Sequence, residues 1–402
     1  MTENIQGKKK ILVCPMNWGL GHAVRDVPII QRLVDLGHEV ILAGKGAPLD
    51  LLRAEFPELE TQRLGSLLRV RYSLRLPAWL KITFLSPLIL YEIFFEHYRL
   101  RRIIRRVRPD LIISDNRYGL WHRRVPSILI THQLSIRLPA FASFLEIPVN
   151  VMIRTFIEQF DRCWIPDFPG ENNLSGDLSH RYPPPRNSVF IGAISRFTSG
   201  SSPGTSQIIP KPGHSTSKPG HSTVKPGQST PKSGHYSGEP PGSSTAKPLD
   251  LLILLSGPEP QRSVLENIIL KQVFSLDARC VILQGLPGKA KRTDLTSTVS
   301  MYSHLPAAEL RQLLYFAENV ICRAGYTGIM DLALMRKKTL IIPTPGQTEQ
   351  EYLAEYLARK GMFLTCSQDQ LSIPSALKDM GDFNPLFNLP DKDFLQSELD
   401  RI

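Results

Sequence analysis

The chain alternates short, wholly apolar runs with stretches in which apolar residues recur every third or fourth position. Lys10-Ile11-Leu12-Val13-Cys14-Pro15 is the first such run and predicts a buried strand. Beyond the loop Asn17-Trp18-Gly19-Leu20-Gly21-His22, residues Val27, Ile30 and Val34 share one face of a helix running from about Ala23 to Leu36, and Gly37 ends it. Val40–Ala43, Asp110–Ser114 and Ser127–Ile130 are further apolar runs of strand length. Strands without a polar face, alternating with helices, predict a parallel α/β sheet buried on both sides.

This pattern lapses after Val189-Phe190-Ile191-Gly192. From Thr198 to about Lys247 the chain is almost entirely Ser, Gly, Pro, Lys, His and Thr, with a seven-residue repeat beginning at Lys211, Lys218 and Lys225 and decaying from Lys232. No repeat position is apolar, and each intact copy holds Pro and Gly, so the period belongs to a disordered linker or insertion, not to a coiled coil. His214, His221 and His235 then read as parts of a solvated repeat more readily than as metal ligands. Periodicity returns with strands at Leu251–Leu255, Cys280–Leu283, Asn319–Cys322 and Thr339–Pro343. Helices are predicted at about Arg262–Val273, Leu310–Ala317, Ile329–Met335 and Glu349–Lys360. The expected organisation is an N-terminal α/β domain (1–197), a low-complexity linker (198–248), a second α/β domain (249–380) and a C-terminal tail (381–402).

Of the 402 residues, 42% are apolar and 21% charged, the balance of a globular protein with room for two domains. No run of 18 uncharged apolar residues occurs, so no conventional transmembrane helix is expected. The polar first ten residues lead straight into a strand and do not read as a secretory signal. Five cysteines without a C-x-x-C pair suit a reducing, cytoplasmic setting. The net charge of +11 is concentrated: between Arg63 and Arg124 stand fourteen Arg/Lys and four Asp/Glu. Such an excess calls for an acidic partner. The apolar, aromatic stretch Ile82–Phe95 precedes Arg99, Arg101, Arg102, Arg105, Arg106 and Arg108, a combination that fits a peripheral contact of 82–108 with an anionic membrane, on its inner face. The other reading is a core helix followed by a solvated basic one. No nucleic-acid-binding motif accompanies the charge.

Three loops carry candidate chemistry. Gly19-Leu20-Gly21-His22-Ala23-Val24 starts like a dinucleotide fingerprint but lacks its third glycine, and the following strand runs into Gly44-Lys45-Gly46 instead of an acidic residue, which argues against NAD. What remains is a glycine-rich turn at a helix N-terminus, suited to anions or sugar hydroxyls, with His22 at its tip. In Cys322–Asp331 a strand ends, Gly325 and Gly328 let a ligand approach the backbone, and a helix begins whose free N–H groups can hold a diphosphate. Asp331, about one turn in, could accept ribose hydroxyls or simply complement the helix dipole. In Pro343–Gln350 the side chains of Gln347, Glu349 and Gln350 could bind sugar hydroxyls, while Thr348 and Glu351 have the spacing of a capping box. His22 is the first candidate for a general base, because imidazole titrates near neutrality; Asp115, in Ser114-Asp115-Asn116-Arg117 after a strand, is the second, unless it only forms a turn.

These residues resemble the GT-B-fold glycosyltransferases of family 28, which include the peptidoglycan lipid I N-acetylglucosaminyltransferase. The match is strongest from Val320 to Tyr356, in Arg323-Ala324-Gly325, Asp331 (where the family has Glu), Ile342-Pro343 and Glu349-Gln350. The family's Asp-His-Gln-x-x-Asn is here Thr348-Glu349-Gln350-Glu351-Tyr352-Leu353, in which only the Gln is shared. Gly19–His22 resembles the family's Gly-Gly-His loop, Ser256-Gly257 its diphosphate loop, Gly192–Arg196 its junction motif, and Ile130-Thr131-His132-Gln133 its Ile-His-Glu-Gln. The resemblance implies two Rossmann-like parallel-sheet domains facing a cleft. It also implies inverting transfer of a hexose or N-acetylhexosamine from a nucleotide-sugar, UDP-linked by expectation, to a glycan or lipid-linked acceptor. His22 or Asp115 would be the base. The donor would be held by Gly21, Arg196, Ser256, Gly257, Arg323, Gly325, Tyr326, Thr327, Gly328, Asp331, Gln347, Glu349 and Gln350. No cofactor or metal is expected, the only Asp-x-Asp being Asp391-Lys392-Asp393 in the tail. A non-hydrolysing nucleotide-sugar epimerase and a non-catalytic nucleotide-sugar-binding or membrane-docking subunit are the two other functions considered.

Overall fold

A computed structural model describes residues 7–17, 19–65, 78–136, 140–197, 249–286 and 291–402. The seven-residue repeat and its histidines lie outside these residues, as does Trp18. Two seven-stranded sheets are present. The first contains β1 (Lys10–Cys14), β2 (Glu39–Gly44), β3 (Glu60–Arg63), β4 (Leu111–Asp115), β5 (Ser127–Ile130), β6 (Arg162–Ile165) and β7 (Ser188–Phe190), in the order β3-β2-β1-β4-β5-β6-β7 and parallel throughout. The second contains β8 (Leu249–Leu254), β9 (Cys280–Leu283), β10 (Arg292–Asp294), β11 (Val299–Tyr302), β12 (Ala317–Arg323), β13 (Lys338–Ile342) and β14 (Leu364–Thr365), in the order β10-β11-β9-β8-β12-β13-β14. Only its edge pair β10–β11 is antiparallel. Central strands are buried on both faces, as their unbroken apolar runs require: Leu12 lies beside Ile41 and Ile112, and Ile321 beside Ile253 and Leu340.

Each sheet reverses its strand order beside its first strand, between β1 and β4 and between β8 and β12. In open parallel sheets the carboxyl ends at such points are where ligands bind. Both points are built from segments named by the sequence: Cys14 and Asp115 end β1 and β4, while Ser256-Gly257 and Arg323-Ala324-Gly325 follow β8 and β12. The two helices that open there start earlier than periodicity predicts, at Leu20 and Tyr326. Their first turns carry glycines and polar residues that hide the apolar period.

The halves meet tightly. Phe168, Leu174, Leu178 and Phe197, which follow β6 and β7, pack into the core of the second half. Tyr356 Oη donates to Asn173 Oδ1 at 2.9 Å, and Tyr352 Oη accepts from the Asp177 N–H at 2.6 Å. Gly176 (φ +53°) faces these rings so closely that a Cβ would stand 2.3 Å from the Tyr352 hydroxyl oxygen. Residues 381–402, expected as a tail, include the helix Phe394–Leu399, which crosses back to the first half. Leu395, Leu399 and Ile402 join the core of that half, Asp393 pairs with Arg32 at 2.8 Å, and Glu398 accepts from Trp164 Nε1.

The basic stretch forms one long helix, Ala78–Val107, with Pro87 inside it; the side chains of 78–86 and 89 lie outside the described residues. Further along, Leu88, Tyr91, Phe94 and Tyr98 are exposed while Ile93, Leu100 and Val107 are buried. One face of the helix thus enters the core, and the other is aromatic and cationic. Among the described residues no helix is long and apolar enough to cross a membrane.

Candidate active site

His22 is the third residue of the helix Leu20–Asp35, so the glycine turn delivers it to the end of β4, where Asp115 is the last residue. His22 Nδ1 lies 3.0 Å from Asp115 Oδ2. Arg25, one turn on, grips the same carboxylate with Nε at 3.1 Å from Oδ2 and Nη2 on Oδ1. Its Nη2 is also 2.9 Å from His22 Nδ1, and its Nη1 is 3.2 Å from His132 Nδ1. Burial alone would raise the Asp115 pKa, but the Arg25 charge and the His22 contact overcome it and hold the carboxyl well below the usual range. Asp115 can accept from a His22 Nδ1–H, whereas Arg25 Nη2 can donate only to a bare Nδ1, so the two contacts favour opposite tautomers; with the proton on Nδ1, toward Asp115, the Nε2 lone pair is available. His22 Nε2 takes no hydrogen bond among the described residues, and the side chain is about one-fifth exposed. The two base candidates are thus a single pair, with Asp115 buried behind His22.

The second half closes over this pair. The first turns of the helices Tyr326–Leu334 and Leu20–Asp35 meet, where Thr327 Oγ1 donates to the Gly21 carbonyl at 3.0 Å. Neither helix is capped by a side chain, so both present unsatisfied N–H groups and positive dipole ends. At Gly325 (φ −79°) and at Gly328, an added Cβ would meet nothing within 4 Å. Neither backbone conformation nor protein packing demands glycine there, which leaves room for a ligand as the reason.

Other named residues take different places. Ser256 is exposed and Gly257 (φ +102°) turns the chain after β8. Arg323 is buried and faces inward, donating to the carbonyls of Pro343 at 3.2 Å and Gln261 at 2.8 Å and to Gln368. Burial without a carboxylate partner lowers its pKa to about 10. It ties three loops together behind the cleft. Tyr326 is buried, donating to the Pro166 carbonyl at 2.9 Å and stacking on His132 with centroids 4.0 Å apart. Asp331 sits at the junction, where Ser195 Oγ donates to it at 2.5 Å and Arg196 is close by. Burial, only partly offset by Arg196 and Ser195, raises the Asp331 pKa to about 6.

In the Pro343–Gln350 loop, Gln350 Oε1 accepts from the Thr344 N–H at 2.9 Å and so braces its own loop. The capping-box spacing is not realised: Gln347 is the cap residue, without a side-chain bond, and Glu351 accepts from the Gly346 N–H. Glu349 reaches across to the first half, where His132 Nε2 lies 2.9 Å from it and Gln133 donates to its other oxygen. With Arg25 donating to His132 Nδ1 and Nε2–H donating to Glu349, His132 is neutral; burial pushes its pKa down accordingly. Gln347, Thr348 and Glu349 line a cavity of about 300 Å³ with Gln133, Ser135 and Tyr352. Among the described residues no three His, Cys, Asp or Glu side chains gather as a metal site.

Arg25, Asp26, His132 as a partner of Glu349, and Ser195 were not among the predicted site residues. Asp26 had a sequence signal. It lies four residues before Ile30 and three after Ala23, on the buried face of its helix. A carboxylate on an apolar face needs a reason.

Residues 263–391 match the model of the glycosyltransferase family 28 C-terminal domain. No curated protein sequence matches the chain. Among solved structures, the glycosyltransferase of kitacinnamycin is 14% identical over 93% of this chain and 91% of its own, with a TM-score of 0.57. MurG of Acinetobacter baumannii is 12% identical over 98% and 99%, with a TM-score of 0.50. The spinosyn rhamnosyltransferase SpnG, solved with thymidine diphosphate, is 15% identical over 97% and 91%, also at 0.50. The chain therefore has the GT-B glycosyltransferase fold and carries, over residues 263–391, the C-terminal domain of glycosyltransferase family 28.

Proposed function

We propose that the protein transfers a hexose or N-acetylhexosamine from a nucleoside-diphosphate sugar to a hydroxyl of a glycan or lipid-linked acceptor, with inversion and without a metal. The observation that carries this reading is the His22–Asp115 pair facing two uncapped helix N-termini. The base and the turns that would receive a departing diphosphate are joined by the Thr327–Gly21 hydrogen bond. His22 Nε2 takes the proton of the acceptor hydroxyl, and Asp115 stabilises the imidazolium that forms. The acceptor oxygen attacks the anomeric carbon as its bond to the diphosphate breaks. The leaving charge is received by N–H groups at Gly21 and Gly325–Gly328, which supply the electrostatic stabilisation a metal would otherwise provide. Direct displacement from one face inverts the anomeric centre.

Gln347, Glu349 and Ser256-Gly257 are assigned to the donor, and Asp331 would reach ribose hydroxyls by exchanging its Ser195 partner. UDP is the nucleotide expected from the sequence; the thymidine diphosphate bound by SpnG supports dTDP as the second candidate. The exposed Tyr91, Phe94 and Tyr98 with the following arginines support a peripheral contact with anionic membrane near a lipid-linked acceptor.

Thermal unfolding with UDP, dTDP and GDP tests the donor reading. One nucleotide at 100 times its dissociation constant should stabilise the protein by about 2.7 kcal/mol. Transfer assays with the matching nucleotide-sugar follow, and His22→Ala should abolish transfer while keeping the thermal shift. Donor epimerisation without an acceptor, or an absence of any shift, would sink the transferase reading.

A further inference from the structure

Asp26 is fully buried, and neither of its carboxyl oxygens receives a hydrogen bond from any described residue. An ionised carboxylate in that position would be desolvated with nothing in return. No described neighbour donates a hydrogen bond to it, and the nearby positive charge of Arg25 is engaged elsewhere. Arg25, adjacent on the helix, directs its guanidinium to Asp115, His22 and His132. Cys14, at the end of β1, is a buried thiol whose pKa is pushed up to about 12, so it stays neutral and adds no charge of either sign. The remaining close charge is Asp115, an acceptor with the same sign. Arg25 and His22 occupy three of the roughly four acceptor directions of the Asp115 carboxylate, leaving one.

We propose that Asp26 is a neutral carboxylic acid whose hydroxyl donates to Asp115, so that two buried carboxyls share one proton and Asp26 is the positioning residue of the His22–Asp115 pair. Burial and the Asp115 charge both favour the protonated form of Asp26, with Arg25 opposing them. The neutral acid takes the acceptor direction left on Oδ1, completes the ring of donors around Asp115 and so keeps Oδ2 turned to His22. Were Asp26 ionised, a second negative charge would push Asp115 out of the Arg25 grip and free the imidazole to turn. The protonation claim rests on burial and partners alone; the kinetic consequence rests on the proposed transfer reaction.

Infrared difference spectroscopy between wild type and Asp26→Asn tests the first part without any assay of activity. At pH 8 the wild type should show the carbonyl stretch of a neutral carboxylic acid, lost in Asp26→Asn and kept in Asp331→Asn. Kinetics test the second part. Asp26→Leu, which removes the donor, should lower kcat about tenfold or more, leave the KM for donor unchanged and move the acid limb of the pH profile. Asp26→Asn keeps an N–H donor for Asp115 and should recover most of that loss. The proposal is overturned if the band survives in Asp26→Asn, or if the Asn and Leu variants are equally impaired. Should Asp26→Leu fail to fold, the infrared result and the pH profile of Asp26→Asn decide. A wild type that transfers no sugar would defeat the function proposed above, while the infrared band would still settle the state of Asp26.

Discussion

The two strand ends that face each other across the molecule are built from opposite materials. At the end of β4, five ionisable side chains (His22, Arg25, Asp26, Asp115 and His132) crowd into a space almost closed to solvent. At the end of β12, the surface is backbone: Gly325 and Gly328 are bare, Arg323 is turned inward, and Asp331 is occupied by Ser195. The first arrangement can hold and move a proton but leaves little room. The second can hold an anion through N–H groups but has no titratable group aimed outward. A transfer reaction needs both, which explains why neither half alone looks like an active site.

The sharpest way to break the comparison is to remove its proton-handling side. His22→Ala should lower kcat by a factor on the order of 10² to 10⁴, the usual worth of a general base. Nucleotide-induced stabilisation should be kept, since the proposed diphosphate site is backbone. Steady-state kinetics beside thermal shifts read both quantities. If His22→Ala abolishes nucleotide binding as well, the division of labour between the halves is wrong.

The halves also differ in what stabilises them. The core of the first half is completed from the far end of the chain, by Leu395, Leu399 and Ile402. Leu399→Ala should therefore cost about 2–5 kcal/mol, as for other buried leucines. The loss should appear in the unfolding of the N-terminal half, although the residue follows the second. Denaturant unfolding monitored at Trp164, beneath that helix, would show it; an unchanged midpoint would mean that the helix Phe394–Leu399 does not dock in solution.

At the junction, the Asp331 pKa of about 6 makes stability depend on pH in a definite direction. Below about pH 4 the carboxyl is protonated both folded and unfolded and contributes no difference. Between about pH 4 and 6 the folded state binds more protons than the unfolded one, so stability falls as pH rises. The full cost, reached above about pH 6, is on the order of 3 kcal/mol. Asp331→Asn should match the wild type at pH 4 and melt higher at pH 7.5. Equal melting temperatures at both values would place Asp331 in a solvated setting and return it to the donor.

Much of this was legible in the sequence because the central strands here are buried on both faces. Continuous apolar runs such as those in Lys10–Cys14 and Thr339–Ile342, alternating with helical periods, mark a parallel sheet, and glycine turns mark the ends of its strands. His22 and Asp115 could be named one by one, but 93 residues separate them, and nothing local shows that Nδ1 of one meets Oδ2 of the other. Arg323 and Gln350 matched a family pattern, yet they turn inward to carbonyls and to a loop N–H. A pattern of residue types carries no side-chain direction. The helix Phe394–Leu399 is too short for its period to announce that it belongs to the other half's core.

The smallest effect sharpens the comparison most. Gly328 lies within the helix Tyr326–Leu334, and a Cβ there meets nothing. Gly328→Ala should therefore stabilise the ligand-free protein by about 0.5–1 kcal/mol, the ordinary gain of alanine over glycine in a helix. The same methyl group stands where a diphosphate would approach, so the variant should lose most of its stabilisation by nucleotide. Melting temperatures with and without UDP or dTDP separate the two terms in one experiment. Opposite signs identify a glycine kept for a ligand at the expense of the fold. A gain in stability with nucleotide binding intact would move the donor away from this turn, while a loss of stability without ligand would show that the space above Gly328 is filled by protein.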